Sequence, residues 1–164
     1  MTPTIKKITK DNFSLYGDLI TIKDKNSEGI NNNTTHSYFD LANIQISGED
    51  KNVRLNIFDA KKRIFPLKID MLEMHPLSSQ VFLPMSNNDF IVLVAPIAPK
   101  PDLKKIEIFK VSNGDGINFK TCVWHFPLIS IDDAKFITVD KKDEKKNIDI
   151  YKFSENEEFI LNYE

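Results

Sequence analysis

Cysteine, glycine and an excess of basic charge are all scarce in this sequence. Its 164 residues include one cysteine, Cys122, and five glycines, and 22 Lys and Arg face 24 Asp and Glu for a formal net charge of −2. One thiol forms neither an intrachain disulfide nor a multi-cysteine zinc site, which suits a reducing cytoplasm. Without a basic excess to neutralise phosphates, nucleic acid is not expected as a partner.

Long hydrophobic runs are also missing. The longest apolar stretch, residues 90–98, is about half the roughly 20 residues that a transmembrane helix needs. No apolar run follows the lysines near the amino terminus, so we expect neither a secretory signal nor a membrane partner. With 41% hydrophobic residues and neither a repeat nor a low-complexity linker, residues 1–164 are predicted to form a single domain with its own core.

Short runs of β-branched and aromatic residues, separated by turn-forming residues, predict strands along most of the chain. These strands are expected at residues 18–23, 43–46, 53–60, 68–75, 80–84, 90–96, 106–111, 119–124 and 136–139. One short helix is expected at 9–16, capped by Asp11, and the charged run 141–147 is expected to be a solvated turn. Since no long helices separate the strands, the sequence predicts a mainly all-β fold, an antiparallel barrel or sandwich.

Histidine is limited to three residues, and two of them lie in informative strings. On a strand, alternate side chains share a face, so Glu73 and His75 point the same way. After the turn at 76–79, Gln80 can project from the next strand toward the same interior. In the second string, 116–128, the same alternation brings His125 to the opposite wall.

A carboxylate, an amide and two imidazoles form a cluster of the size used for acid–base chemistry or for one metal ion. A structural role stays open for each string taken alone, because a strand histidine commonly satisfies backbone groups. Cys122 is most simply a small buried apolar residue, and Trp124 fits a core position as well as a site.

The two strings, in this order, resemble the bacterial ureidoglycolate lyase family. Glu-x-His-Pro-Leu-x-x-Gln-x-Phe-x-Pro at 73–84 and Trp-His-x-Pro-Leu at 124–128 are the most specific parts, and the likeness runs over nearly the whole chain. The resemblance implies a cupin-like antiparallel β-barrel or jelly roll with a few short helices, homodimeric and cytoplasmic. It also implies a lyase that cleaves ureidoglycolate, a small α-hydroxy acid adduct, to glyoxylate and urea in purine and allantoin breakdown.

This cleavage needs a base, an acid and a cation that anchors the substrate carboxylate. We expect Glu73 or His75 to be the base, His125 the acid, and Gln80 a substrate-orienting group. Further substrate-binding residues implied by the resemblance are Asn31, Tyr38, Lys120 and Trp124. No cofactor is required by this scheme, but a single divalent metal ion held by Glu73, His75, Gln80 and His125 is the alternative.

Several positions depart from the usual family pattern. Ser37 and Phe39 replace a basic residue and a histidine beside the tyrosine, Asp59 replaces an arginine, Lys120 and Thr121 replace a His-Arg pair, and Phe126 replaces a second histidine. The chain has only two arginines, Arg54 and Arg63, and the strand register of Arg54 is open. Two alternatives therefore stay open, a cupin-like binding or regulatory protein without catalysis and a barrel that serves mainly in assembly.

Overall fold

The computed structural model describes residues 3–142 and 147–163, which form mostly short β-strands. One α-helix, α1 (Lys10–Phe13), and one 3-10 helix, η1 (Leu103–Lys105), are the described helices. This content confirms the predicted mainly all-β fold class with a few short helices. The strands are β1 (Ile5–Lys7), β2 (Gly17–Ile20), β3 (Glu28–Ile30), β4 (Thr35–Ser37), β5 (Val53–Ala60), β6 (Leu67–Ile69), β7 (Met71–Met74), β8 (Gln80–Pro84), β9 (Phe90–Ala95), β10 (Glu107–Val111), β11 (Gly116–Phe119), β12 (Trp124–His125), β13 (Ile129–Ser130), β14 (Ala134–Lys141), β15 (Asp149–Lys152) and β16 (Phe159–Leu161).

Two sheets contain most of these strands. The larger sheet has the order β1-β10-β9-β12-β7-β15, with β13 also paired to β9, and the smaller has the order β2-β11-β8-β14-β5. Among the described pairs only β1 and β10 are parallel. Two antiparallel ribbons, β6 with β16 and β3 with β4, complete the strand pairing.

A phenylalanine-rich core holds the two sheets face to face. Phe90 on the larger sheet and Phe136 on the smaller sheet are fully buried, and their rings meet edge to face with centroids 5.2 Å apart. A second core lies on the other face of the larger sheet and includes Leu93 and Trp124. Strand β9 alternates between the two cores, so its continuous apolar run is buried on both sides.

The boundaries of the early helix and of one central strand differ from those expected. Thr9 caps α1, because its side chain accepts from the Asn12 N–H while Asp11 already lies inside the first turn. The strand predicted at 119–124 is interrupted at Cys122, whose φ of 65° is a left-handed conformation that ends extended backbone. The chain therefore leaves the smaller sheet after β11 and enters the larger one at β12.

Two further segments differ from the prediction. The segment 43–46 makes a single bridge, between Ile46 and Ser78, rather than a strand. The run 141–147 is not simply solvated, because Lys141 is buried and Asn147 half-buried, while 143–146 lie outside the described residues. In the described ranges, no helix has the length and apolarity required to cross a membrane.

The contact between Phe90 and Phe136 predicts a large stability effect. Phe136→Ala should lower the free energy of unfolding by about 3–5 kcal/mol, because the cavity that replaces the ring lies where the two sheets meet. The matched variant Phe39→Ala should change it by less than about 0.5 kcal/mol, since that ring is 57% exposed. Urea unfolding measures both values, and equal effects would contradict this account of the core.

Candidate active site

Strand β7 sends alternate side chains to opposite sides of the larger sheet. Leu72 is fully buried in the second core, whereas Glu73 and His75 line a cavity on the other side. The apolar residue therefore holds the strand in place while the two polar residues face open space. This is the arrangement that the alternation in the sequence predicts.

Strand β12 brings His125 directly beside Glu73, its partner residue in the antiparallel pair. The His125 Nε2 atom lies 3.7 Å from Glu73 Oε1, and the rings of His75 and His125 have centroids 5.2 Å apart. His125 is 2% exposed and stacks on Phe119, with a centroid distance of 4.3 Å. It is therefore the deepest member of the cluster.

Gln80 approaches the same place from the smaller sheet. It begins β8 and pairs with Phe119, the residue that stacks on His125. Gln80 lines the cavity, and its Oε1 is buried without a hydrogen-bond partner among the described residues. The structure thus brings together the polar side chains of Glu73, His75, Gln80 and His125. These side chains come from both sheets.

Backbone carbonyls fix the tautomers of both imidazoles. His75 Nδ1 lies 2.6 Å from the Asn147 carbonyl oxygen, and His125 Nδ1 lies 2.9 Å from that of Val123. A carbonyl oxygen only accepts hydrogen bonds, so each Nδ1–H is the donor, and in the neutral form of each ring the lone pair lies on Nε2. Both Nε2 atoms are buried and lack a partner within the described chain.

Burial favours the uncharged forms of Glu73 and His125. Desolvation raises the pKa of Glu73, and the nearby His75 partly opposes that change. Burial, followed by the proximity of His75, lowers the pKa of His125 to about 3, against a smaller opposing effect of the Val123 hydrogen bond. Near neutral pH the contact between Glu73 and His125 is therefore not an ion pair, although its geometry resembles one.

The side chains of three potential metal ligands converge at this point. One ligand atom from each of Glu73, His75 and His125 lies within 4.8 Å of the others. Two imidazole nitrogens and a carboxylate oxygen are a donor set that suits a divalent transition metal. The carbonyl acceptors on the two Nδ1–H groups are the usual outer partners of metal-binding histidines. The residues therefore fit such an ion.

A cavity of about 840 Å³ lies above this cluster, and its lining has a polar, an apolar and a charged part. Its polar end is formed by Glu73, His75 and Gln80. Apolar side chains line the middle, and charged ones line the remainder. The apolar residues are Phe58, Ala60, Phe82, Pro127, Leu128 and Ile148, and the cationic residues are Arg54, Lys61, Lys62 and Arg63. The volume is ample for a small-molecule ligand.

The four further residues expected to bind substrate do not line this cavity. Asn31 is exposed at the turn between β3 and β4, and Tyr38 is half-buried just after β4. The Lys120 Nζ donates to the Ser14 carbonyl oxygen. The Trp124 Nε1 donates to the Ala98 carbonyl oxygen, 2.9 Å away, in the second core, because Trp124 alternates with His125 on a two-residue strand.

Two features of the site had no signal in the sequence. Asn147 supplies the carbonyl for His75, and its side chain accepts from the Leu77 N–H and donates to the Ser78 hydroxyl. The second feature is an ion pair between Arg54 and Asp140 in the cavity wall. Both depend on contacts between segments far apart in the chain, which alternation within one strand does not reveal.

The sequence profile of the ureidoglycolate lyase family matches residues 1–160. The chain belongs to this family. A ureidoglycolate lyase of Pseudomonas paraeruginosa is 35% identical over 161 residues, 98% of this chain and 95% of that protein. Proteins of the same name from Pseudomonas syringae pv. tomato and Azotobacter vinelandii are 36% and 33% identical, over 98% and 96% of this chain and 95% and 96% of their own. Among solved structures, the Mn(II)-containing oxalate decarboxylase of Bacillus subtilis matches 66% of this chain and 24% of its own, with a TM-score of 0.37 and 13% identity.

Two positions that depart from the usual pattern of the ureidoglycolate lyase family lie near the cavity. Asp59 lines its charged part, at a position where the resemblance implies an arginine. Phe126 faces away from His125 and is buried in the second core, where the Arg63 guanidinium carbon lies 5.8 Å from its ring centroid. Phe126 therefore contributes to packing, and the cationic groups of this cavity must come from other positions.

The buried neutral state of His125 predicts a pH-dependent stability. Its pKa is about 3 in the folded protein but about 6.5 in an unfolded chain. Below pH 6.5 only the unfolded state gains this proton, so the free energy of unfolding should fall with decreasing pH, by up to about 1.4 kcal/mol per unit. Urea unfolding between pH 7 and pH 5 should show a smaller fall for His125→Asn. A protonation midpoint near 6.5 for His125 by NMR would contradict the assignment.

Proposed function

We propose that this protein cleaves ureidoglycolate to glyoxylate and urea, as a step in purine and allantoin breakdown. The observation that carries the proposal is the convergence of Glu73, His75 and Gln80 at one end of a cavity, with His125 buried beside Glu73. Membership of the ureidoglycolate lyase family supplies the substrate class. We place the reaction in the cytoplasm, whose reducing conditions suit the free thiol of Cys122.

The reaction moves one proton and breaks one carbon–nitrogen bond. The carbon that is cleaved carries a hydroxyl, a carboxylate and the ureido nitrogen. Removal of the hydroxyl proton lets the oxygen electrons form the aldehyde carbonyl, and the carbon–nitrogen electrons leave with the nitrogen. Protonation of that nitrogen gives urea, so the proton lost by oxygen equals the proton gained by nitrogen. A single group can therefore act first as base and then as acid.

Glu73 is suited to this double role. Its carboxylate lies at the polar end of the cavity, and burial raises its pKa, which favours temporary retention of a proton. His125 was expected to be the acid, but its bare Nε2 and its lowered pKa make it a poor proton donor. We therefore assign proton transfer to Glu73.

The imidazoles and Gln80 position the substrate. The Nε2 atoms of His75 and His125, with one oxygen of Glu73, would hold a divalent metal ion, which when bound supplies Lewis-acid polarisation of a substrate oxygen. The Gln80 Oε1 can accept a hydrogen bond from a ureido N–H, which would satisfy this otherwise unpaired oxygen. Phe58 and Phe82, whose ring centroids lie 5.9 Å apart, give one side of the cavity an apolar surface.

Product analysis tests this function directly. The purified protein should release glyoxylate and urea from ureidoglycolate, and Glu73→Gln or His75→Ala should lower kcat by about a hundredfold or more, because each removes a proton-transfer or positioning group. His36→Ala is the matched control, since His36 is exposed on β4 and lies outside the cavity lining. Elemental analysis of the same samples should detect a divalent metal that is lost in His75→Ala.

A lack of turnover, both as purified and after addition of divalent metals, would contradict the proposed lyase function. Thermal stabilisation by a small polar ligand without turnover would then favour the binding or regulatory alternative.

We also propose that the protein is a homodimer that uses β5. This strand lies at the edge of the smaller sheet, where one row of backbone groups has no neighbouring strand within residues 3–142 and 147–163. Val53, Leu55 and Ile57 are 50%, 67% and 57% exposed and form an apolar row on its outer face. An open edge beside an apolar row favours association with another copy.

The dimer proposal is tested by mass in solution. Light scattering should give about twice the chain mass of 18.9 kDa, and Leu55→Glu should shift the value toward one chain because it adds charge to the row. Ile64→Glu adds the same charge at a residue that is 81% exposed outside β5, and it should leave the mass unchanged. A monomeric parent protein, or a dimer unaffected by Leu55→Glu, would refute this interface.

A further inference from the structure

The cavity needs a fixed cation, and strand register identifies which one faces it. Arg54 on β5 is the partner residue of Asp140 on β14, and both line the cavity. The Arg54 Nε and Nη2 atoms donate to the two oxygens of Asp140 at 2.7 and 3.2 Å. Asp140 is 3% exposed, whereas nearly half of the Arg54 side chain is exposed. A buried carboxylate therefore holds a guanidinium that is accessible from the cavity.

The same register relates Arg54 to the four-residue cluster. The pairing of β14 with β8 ends at Val139 with Val81, and continuation of the same antiparallel register places Asp140 opposite Gln80. Arg54, Asp140 and Gln80 thus lie side by side on three adjacent strands. At about 4.8 Å between strands, the Cα atoms of Arg54 and Gln80 are separated by about 10 Å. Arg54 therefore belongs to the same wall as the polar end, one strand beyond Asp140.

The other cations of the cavity are engaged differently. The Lys61 Nζ pairs with Asp133 at 2.9 Å, and both side chains are largely exposed. The Arg63 guanidinium lies over Phe126, and its backbone N–H donates to the Ser130 carbonyl oxygen. The Lys62 backbone N–H donates to Asp133. Among the described residues, none of these three cations is paired with a buried carboxylate. Arg54 is therefore the cavity cation that a buried carboxylate holds in place.

The hydrogen-bond geometry leaves one edge of the Arg54 guanidinium available. A guanidinium has five N–H donors, and Asp140 accepts one from Nε and one from Nη2. The remaining donors are two on Nη1 and one on Nη2. One N–H from each of these nitrogens can bind the two oxygens of a second carboxylate in parallel.

We propose that Arg54, held in place by Asp140, anchors the substrate carboxylate through its free Nη1–Nη2 edge. This assignment rests on the proposed function, because ureidoglycolate has one carboxylate next to the carbon that is cleaved. Arg54 is then the specificity-determining residue for small α-hydroxy carboxylates, and Asp140 is its positioning residue. The arrangement supplies the cation that Asp59 cannot, from a neighbouring part of the same strand.

The test uses a double variant, because Arg54→Gln alone would leave Asp140 buried without its cation. Arg54→Gln with Asp140→Asn keeps a hydrogen-bonding pair without charge, and Lys68→Gln with Glu158→Gln neutralises an ion pair outside the cavity as the matched control. Circular dichroism should verify that both variants fold. Arg54→Lys is a further variant that keeps the charge but loses the planar guanidinium, which can bind one carboxylate along each of two edges.

The cavity variant should raise KM for ureidoglycolate by about 10- to 100-fold, the range expected for loss of hydrogen bonds to a charged group. Its kcat should change less, and Arg54→Lys should raise KM to an intermediate value. Inhibition by glycolate, a small α-hydroxy carboxylate, should weaken in parallel, whereas inhibition by urea should not change. The control pair should keep the parent values, which excludes a general effect of lost charge.

The possible results distinguish failure of the Arg54 anchor from failure of the proposed lyase function. An unchanged KM and unchanged glycolate inhibition in the cavity variant or in Arg54→Lys, or an equal KM increase in Arg63→Gln alone, would overturn the anchor while leaving the lyase function intact. If the parent protein does not cleave ureidoglycolate, calorimetric titration with glycolate replaces kinetics. Glycolate binding that depends on Arg54 would then support the anchor although the function had failed, and binding independent of Arg54 would overturn it.

Discussion

The pairing of two short strands, β7 and β12, is the constraint on which the site depends. β12 has only two residues, yet its register sets His125 against Glu73 and turns Trp124 into the second core. Displacement of β12 by one residue would exchange these two side chains between the cavity face and the core face. The bulky indole, with its hydrogen bond to Ala98, opposes such a shift. An apolar anchor thus maintains a polar site.

The chemical character of the cluster follows from the acceptors behind it. Each imidazole donates its Nδ1–H to a backbone carbonyl, which in the neutral ring leaves the lone pair on the buried Nε2. Backbone atoms supply both acceptors, so the orientation of the rings depends on local chain path rather than on another titratable group. The cost is a set of buried atoms without partners, and such a cost is typical of places that bind a ligand.

Alternation within a strand was sufficient to predict the fold class and the inward direction of Glu73, His75 and His125. It was not sufficient for contacts that depend on how separate strands align. Arg54 is four residues before Phe58 on an exposed edge strand, and only its pairing with Asp140 reveals that it faces the cavity. The contact made by the backbone carbonyl of Asn147 cannot be predicted from the pattern of side chains. The predicted strand at 119–124 is interrupted because Cys122 adopts a left-handed backbone conformation. Cysteine as a residue type does not predict this conformation.

The site draws its groups from two sheets, and this origin makes its geometry depend on packing far from the ligand. Glu73 and both imidazoles project from one sheet, and Gln80 projects from the other. The width of the gap between them is set by the phenylalanine rings packed behind, such as Phe90 against Phe136. Exchange of one such ring for a smaller or larger apolar side chain would adjust the spacing of reactive groups without touching any of them. The spacing of the site therefore depends on interior residues that never meet the ligand.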